Sequence, residues 1–240
     1  MEHQRLETTA STNDVARARA MEGAPHGSVI SAETQQAGRG RLGRAWWSPP
    51  SGAALMSVIL RPTKGTEHVA AVALEAGLAV VEALADQGVE ARVKWPNDIW
   101  IGGKKAGGIL CELVEDAGGG AAVIVGVGLN VNVAQADFPP ELQASATSLR
   151  EASGWSYELE GVILGIRDRL LTRFATFEDA GLDVASAERL SVTVGARVRD
   201  EAGREGLATG IASSGALKVR WDGADADAEV IAGDVTVAAA

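Results

Sequence analysis

The fourteen residues from Thr34 to Trp47, TQQAGRGRLGRAWW, set Arg39, Arg41 and Arg44 among Gly38, Gly40 and Gly43. Three permanent charges on a backbone free to take conformations closed to other residues make a receptor for an anion. Between Thr34 and Arg44 only Ala37 and Leu42 are apolar, so the segment has little to bury and is expected to stay mobile until an anionic ligand orders it. The glycines also spell G-x-G-x-x-G. A dinucleotide fingerprint, however, needs a helix opening from the motif and an acidic residue about 20 positions on. The chain instead continues WWSPPSG and reaches Leu60, Arg61 and Pro62, so its context rejects that reading.

A second group of chemistry-bearing residues lies in VKWPNDIWIGGKKAGGILCEL, from Val93 to Leu113. Gly102-Gly103 reads as a hairpin turn between two strands, with Asn97 and Asp98 at the mouth of the first and Lys94, Lys104 and Lys105 close by. Lys104 and Lys105 point to opposite faces of a regular strand, so only one of them can serve a ligand. Gly107-Gly108 allows a close approach to the backbone. In GVGLNVN, Gly126 and Gly128 alternate before Asn130, leaving either a flat wall for a thin ligand or an ordinary bulge. Ser11, Thr12 and Asn13 open a helical stretch, where an N-cap is as good a reading as a binding role.

The elements that must position these residues follow from periodicity. Ser28–Glu33 and Ala53–Leu60 are apolar runs of strand length, and Ala121–Val127 is a third. Val69–Gln87 reads as a core helix, apolar around most of its circumference, with Glu75, Glu82 and Asp86 marking a narrow wet face. Glu158–Phe177 carries apolar residues at helical spacing, its two phenylalanines included as core. Residues 115–120 read as a flexible turn. From Ser191 the pattern becomes about five short alternating strands, a small barrel or sandwich. The expected fold is α+β, a mixed sheet with packed helices over residues 1–188 and a small β domain over 189–240.

Bulk properties narrow the function. A chain of 240 residues with net charge −10 carries a field that repels polyanions, which argues against general binding to nucleic acid or anionic membrane. The single cysteine, Cys111, rules out an internal disulfide framework and fits a reducing cytoplasm; in ILCEL it reads as a buried, inert thiol. His3, His26 and His68 lack ligand spacing, so any metal is expected to arrive as magnesium with phosphate. No signal-like or membrane-spanning apolar run is present.

Four segments, GRGRLGR, KWPND, KKAGGIL and GVGLNVN, in this order and spacing, resemble biotin protein ligases. The likeness is close from Ser11 to Leu149, and looser for the terminal strands, which resemble that family's SH3-like domain. It implies a cytoplasmic enzyme that joins biotin and MgATP into biotinyl-5′-AMP and passes biotin to a lysine of a biotin carboxyl carrier domain in a biotin-dependent carboxylase. It further implies biotin contacts from Ser11, Thr12, Asn13, Gln35, Gly38, Arg39, Arg41, Lys105, Gly107, Gly126 and Gly128. ATP would fall to Arg41, Arg44, Trp46, Lys94, Asn97 and Asn130, with Trp46 stacking on adenine. Arg39, Arg41, Lys105 and Asp98 would serve catalysis; Asp98 could orient either the attacking lysine or a magnesium ion. Larger members of that family carry an N-terminal DNA-binding domain, and only ten residues precede Ser11, so the expectation is a ligase that binds neither DNA nor membrane, as monomer or homodimer. Lipoate-protein ligases share the adenylate chemistry, and a non-catalytic biotin-binding module would keep Ser11 and Thr12 while dispensing with the arginines and Lys105.

Overall fold

The computed structural model describes residues 2–49, 51–63, 69–115, 120–231 and 233–237. The stretch expected as a flexible turn at 115–120 and His68 therefore lie largely outside the described residues. The chain opens with β1 (His3–Thr9), α1 (Thr12–Met21), β2 (Val29–Gln35), β3 (Ala53–Leu60) and α2 (Val69–Ala85). Then come β4 (Arg92–Lys94), β5 (Asp98–Ile101), β6 (Lys104–Glu115), β7 (Ala121–Asn130), α3 (Leu149–Ser153), α4 (Leu159–Ala180) and α5 (Val184–Arg189). The remainder is β8 (Arg197–Asp200), β9 (Glu205–Ile211), β10 (Leu217–Trp221), β11 (Ala228–Val230) and β12 (Val235–Val237).

The first seven strands form one mixed sheet in the order β1-β2-β3-β7-β6-β5-β4. Only β1 and β2 run parallel, joined through α1; the other neighbours are antiparallel. Period-two alternation on β3 and β7 separates the two faces. On one face Ile59 and Ile124 meet Ala16, Ala20 and Ala24, whose small side chains let α1 lie close. On the other, Met56, Val58, Val125 and Val127 meet α2 and α4. Because α1 covers only part of its face, the Gly126–Gly128 end of β7 stays open for a site.

The wet face expected on α2 is only partly so. Glu75 is 2% exposed and takes Arg173 of α4 at 2.8 Å, while Glu82 takes the same guanidinium at 2.6 Å. A helix packed against a second helix must pair its acids, and removing one partner of such a buried pair typically costs about 3–5 kcal/mol. Burial raises the Glu75 carboxyl above its ordinary range against the pull of Arg173.

The last five strands form a second, antiparallel sheet in the order β11-β10-β9-β8-β12. Its apolar residues continue the core of the larger sheet, with Val198, Ile211, Leu217 and Val235 in one cluster with Trp95. Trp95, 1% exposed, donates from its indole to the Gly215 carbonyl at 2.9 Å and from its backbone to Thr193 Oγ1 at 3.0 Å. The tryptophan of KWPND is thus the anchor between the two sheets, and it fixes the strands that carry Lys94, Asn97 and Asp98. No described helix is long and apolar enough to cross a membrane.

Candidate active site

A cavity of about 210 Å³ opens where α1 leaves the sheet uncovered. Its lining includes one hydrogen-bonded group, Thr12, Asn13 and Gln35 with Ser11 beside them, and a second group of Arg41, Arg44, Trp46, Lys94, Asn97, Asp98 and Lys105. Arg39, Gly126 and Gly128 line it too, so most of the residues singled out in the sequence converge on one place.

The N-terminus of α1 builds the first group. Ser11 occupies the N-cap position in an extended conformation, yet its side chain makes no capping bond. Its hydroxyl is therefore not spent on the helix. Thr12 donates from both its backbone and its hydroxyl to Gln35 Oε1, at 2.7 and 3.1 Å. Ser57 of β3, buried beneath them, bridges Thr12 Oγ1 at 2.8 Å and Asn13 Oδ1 at 2.6 Å.

The arginine loop folds back on itself. Trp46 donates to the Gly38 carbonyl, Arg39 bridges Ala45, and Gly40 donates to the Arg44 carbonyl. Gly38 does not line the cavity: a Cβ there would stand 2.9 Å from the Trp46 carbonyl, so its role is to let the loop close, and Gly40 lines the cavity in its place. Each arginine meets an acid that sequence reading did not assign to it. Arg39 forms a bidentate pair with Asp14 at 2.8 and 2.6 Å, which holds the Asp14 carboxyl below its ordinary range. Arg41 reaches Asp234 at 3.2 Å and Asn97 Oδ1 at 3.4 Å, and Arg44 also pairs with Asp234. Asp234 follows β11 in the terminal sheet, so that sheet contributes to the cavity; nothing local in the sequence marks it. The loop is also strained at Leu42, whose φ of 57° is rare for a side chain of its kind.

The hairpin of β5 and β6 supplies the cations. Lys105 is brought into the cavity by a bulge: Ile99 pairs Gly107 while Trp100 pairs Lys105. Its neighbour Lys104 lies outside the lining, as strand alternation requires. Lys105 Nζ is 2.6 Å from Asp98 Oδ1 and 5.8 Å from the centre of the Trp46 ring. Asp98, expected to orient either the attacking lysine or a magnesium ion, is here paired with Lys105 of its own hairpin, a contact that bears on neither. Among the described residues no group of three or more His, Cys, Asp or Glu could hold a metal. Lys94 has no acid within ion-pair reach among the described residues; it lies 5.8 Å from the Trp100 ring. Burial lowers its pKa below the ordinary lysine value, outweighing the attraction of Asp98 and Asp234. Asn97 braces the hairpin, donating to the Ile109 carbonyl at 2.6 Å.

The glycine wall is real in part. A Cβ on Gly126 would lie 2.2 Å from Asn13 Oδ1, and one on Gly128 2.7 Å from the Trp46 indole. Both glycines thus admit the protein's own side chains against the sheet. Gly107 faces away, toward Gly128 O and Leu129, and its neighbour Gly108 lines the cavity instead. Asn130, expected beside a nucleotide, continues the row of Gly126 and Gly128 but falls outside the lining. It donates to the Thr147 carbonyl at 3.1 Å, and Thr147 and Ser145 bond the backbone of Lys105, so it braces that lysine from behind. Its Oδ1 is buried without a partner among the described residues. Cys111, expected to be buried, is half-buried against the core; desolvation there, with a smaller push from Glu112, raises its thiol to about 12.

The Biotin/lipoate A/B protein ligase family model matches residues 6–130. The bifunctional ligase/repressor BirA of Bacillus spizizenii is 43% identical over 155 residues, 64% of this chain and 48% of that protein, so the chain spans about half its length. The biotin–[acetyl-CoA-carboxylase] ligase of Mycobacterium tuberculosis is 35% identical over 200 residues, covering 80% of this chain and 72% of that one. The biotin protein ligase of Aquifex aeolicus, solved in complex with biotin and ATP, superposes with a TM-score of 0.84 at 28% identity, over 100% of this chain and 99% of that one. With that model covering just over half of it, and a relative 35% identical along 72% of its length, the chain belongs to the biotin/lipoate A/B protein ligase family.

Proposed function

We propose that the chain is a biotin protein ligase that forms biotinyl-5′-AMP from biotin and MgATP and transfers the biotinyl group to a lysine of a biotin carboxyl carrier domain. One observation carries this reading: one cavity is lined both by the uncharged hydrogen-bonding side chains of Ser11, Thr12, Asn13 and Gln35 and by the cations Arg41, Arg44, Lys94 and Lys105. That lining suits an acid with an uncharged polar head whose carboxylate must meet a triphosphate. The biotin and ATP of the Aquifex relative point the same way.

In the first step a biotin carboxylate oxygen bonds to the α-phosphorus, and the bond from that phosphorus to the pyrophosphate oxygen breaks. Like charges oppose the approach, so fixed cations lower the barrier by meeting charge as it gathers on the phosphates. Lys105, held by Asp98 beside Trp46, is placed for the carboxylate and α-phosphate; Arg41, Arg44 and Lys94 suit the outer phosphates. Arg39, engaged by Asp14, serves more to seat the loop on α1 than as a free cation. Magnesium enters with the nucleotide, and Asp98 is the acid of the hairpin best placed to meet it. In the second step the carrier lysine's neutral ε-amine bonds to the acyl carbon, the acyl–phosphate bond breaks, AMP leaves with its electron pair, and the nitrogen gives up one proton to solvent.

Pyrophosphate release that requires both biotin and MgATP, with a mass corresponding to biotinyl-5′-AMP in the acid-quenched mixture, would support this reading. Release without biotin, or none with both, would refute it.

A further inference from the structure

A carboxylate can only accept hydrogen bonds, so a carboxamide facing one must present its nitrogen. Asn13 Nδ2 lies 2.6 Å from Glu112 Oε2 and 3.4 Å from the Leu110 carbonyl. The amide is therefore locked with Oδ1 on the opposite side. There Oδ1 accepts from Ser57 Oγ at 2.6 Å, over the floor left by Gly126, and keeps one lone pair. Gln35 is locked in the opposite sense. Its Oε1 takes both Thr12 donors, at 2.7 and 3.1 Å, which leaves Nε2 to donate. Two side chains that line the cavity thus have fixed polarity, Asn13 with its acceptor and Gln35 with its donor left over. A cyclic urea, with N–H and C=O on adjacent atoms, is complementary to that pair.

Glu112 lies outside the cavity lining, and Arg17 holds its other oxygen at 3.0 Å, with Arg39 3.9 Å from the first. Arg17 pins the carboxylate toward Asn13, while Arg39 ties the same corner to the arginine loop. We propose that Glu112 is a positioning residue that sets the hydrogen-bonding polarity of the head pocket by fixing the flip of the Asn13 carboxamide, and so selects a cyclic urea. This rests on the ligase reading above. Without the Glu112 carboxylate only the longer contact to the Leu110 carbonyl, at 3.4 Å, favours that orientation, and the amide can turn its NH₂ toward the ligand's N–H, setting donor against donor.

The test is Glu112→Gln, whose amide can accept from or donate to Asn13 and so no longer dictates its orientation. Calorimetry would follow biotin, dethiobiotin, which keeps the cyclic urea without the thioether ring, and MgATP. Biotin and dethiobiotin should weaken by the same factor, about tenfold or more, while MgATP binds as before. Glu112→Asp, which keeps the charge one methylene further back, should give a smaller loss in the same pattern, and it stands in if the amide variant is unstable. Unchanged biotin affinity, equal weakening of MgATP, or a loss confined to biotin would overturn the proposal. A native protein that binds neither urea would instead overturn the ligase reading on which it stands.

Discussion

Lys105 Nζ stands 2.6 Å from Asp98 Oδ1, across the hairpin whose two strands carry them. The ion pair holds a long, flexible side chain in one direction, over the Trp46 ring, and the bulge beside Trp100 puts that direction into the cavity. A preorganised cation of this kind is worth on the order of 3 kcal/mol to a transition state that gathers negative charge. Lys105→Ala should therefore slow biotinyl-5′-AMP formation by roughly a hundredfold or more, measured as single-turnover pyrophosphate release. A rate within a few-fold of native would remove Lys105 from the chemistry.

Gly128 is matched to Trp46. A methyl group at 128 would stand 2.7–2.9 Å from three atoms of the indole, so Gly128→Ala must displace the ring. The variant should fold, because Trp46 lies in a surface loop, but bind MgATP more weakly, by about tenfold, with biotin affinity far less changed. Titration of the indole fluorescence with MgATP and with biotin checks both halves.

Lys94 gives the site a pH dependence with a definite sign. Burial lowers its pKa in the free protein, whereas a bound phosphate would favour the charged form and raise it again. Binding of MgATP should then take up protons at alkaline pH, and affinity should decline as pH rises through the lowered pKa, before the ordinary lysine value of about 10.4. Calorimetry at pH 9 in buffers of different ionisation enthalpy measures the uptake directly. Lys94→Met should abolish it.

Asp234 ties the terminal sheet to the arginine loop through Arg41 and Arg44. These contacts are partly exposed, so they are screened and contribute modestly to stability, but they hold the loop's backbone. Asp234→Asn should speed tryptic cleavage between Arg39 and Arg44 several-fold, and biotin with MgATP should restore protection. Cleavage indifferent to both the substitution and the ligands would contradict a loop that ligand orders.

How legible the site was depends on whether its contacts are local. The run of β3 and the Gly102-Gly103 turn are patterns within a few residues of each other, and each is the element expected; Gly126 and Gly128 make no bulge, but the side chains they admit, Asn13 and Trp46, come from far along the chain. Strand alternation limits the pair Lys104 and Lys105 to one ligand-facing lysine, and the resemblance of KKAGGIL points to Lys105, the one that lines the cavity. Of the pair Gly107-Gly108, the resemblance points to Gly107 while the cavity is lined by Gly108; the bulge at Ala106 shifts the pleat there, and a bulge leaves no reliable mark in sequence. Asp14, Glu112 and Asp234 were not assigned because acids spread along the chain look like solvated surface until folding brings them to the arginines. Glu75 failed in the same way: its partner, Arg173, is 98 residues away. The short helices α3 and α5 are too brief to show a periodicity.

The central claim, that this cavity activates biotin for transfer to a carrier lysine, is tested most directly by intact mass. A purified biotin carboxyl carrier domain would be incubated with the protein, MgATP and an equal mixture of biotin and lipoate, in parallel with Lys105→Ala. The account predicts a single biotinyl addition to the carrier with the native protein and none, or a trace, with the variant. A lipoyl addition, or an unmodified carrier beside a protein that still binds biotin, would contradict it.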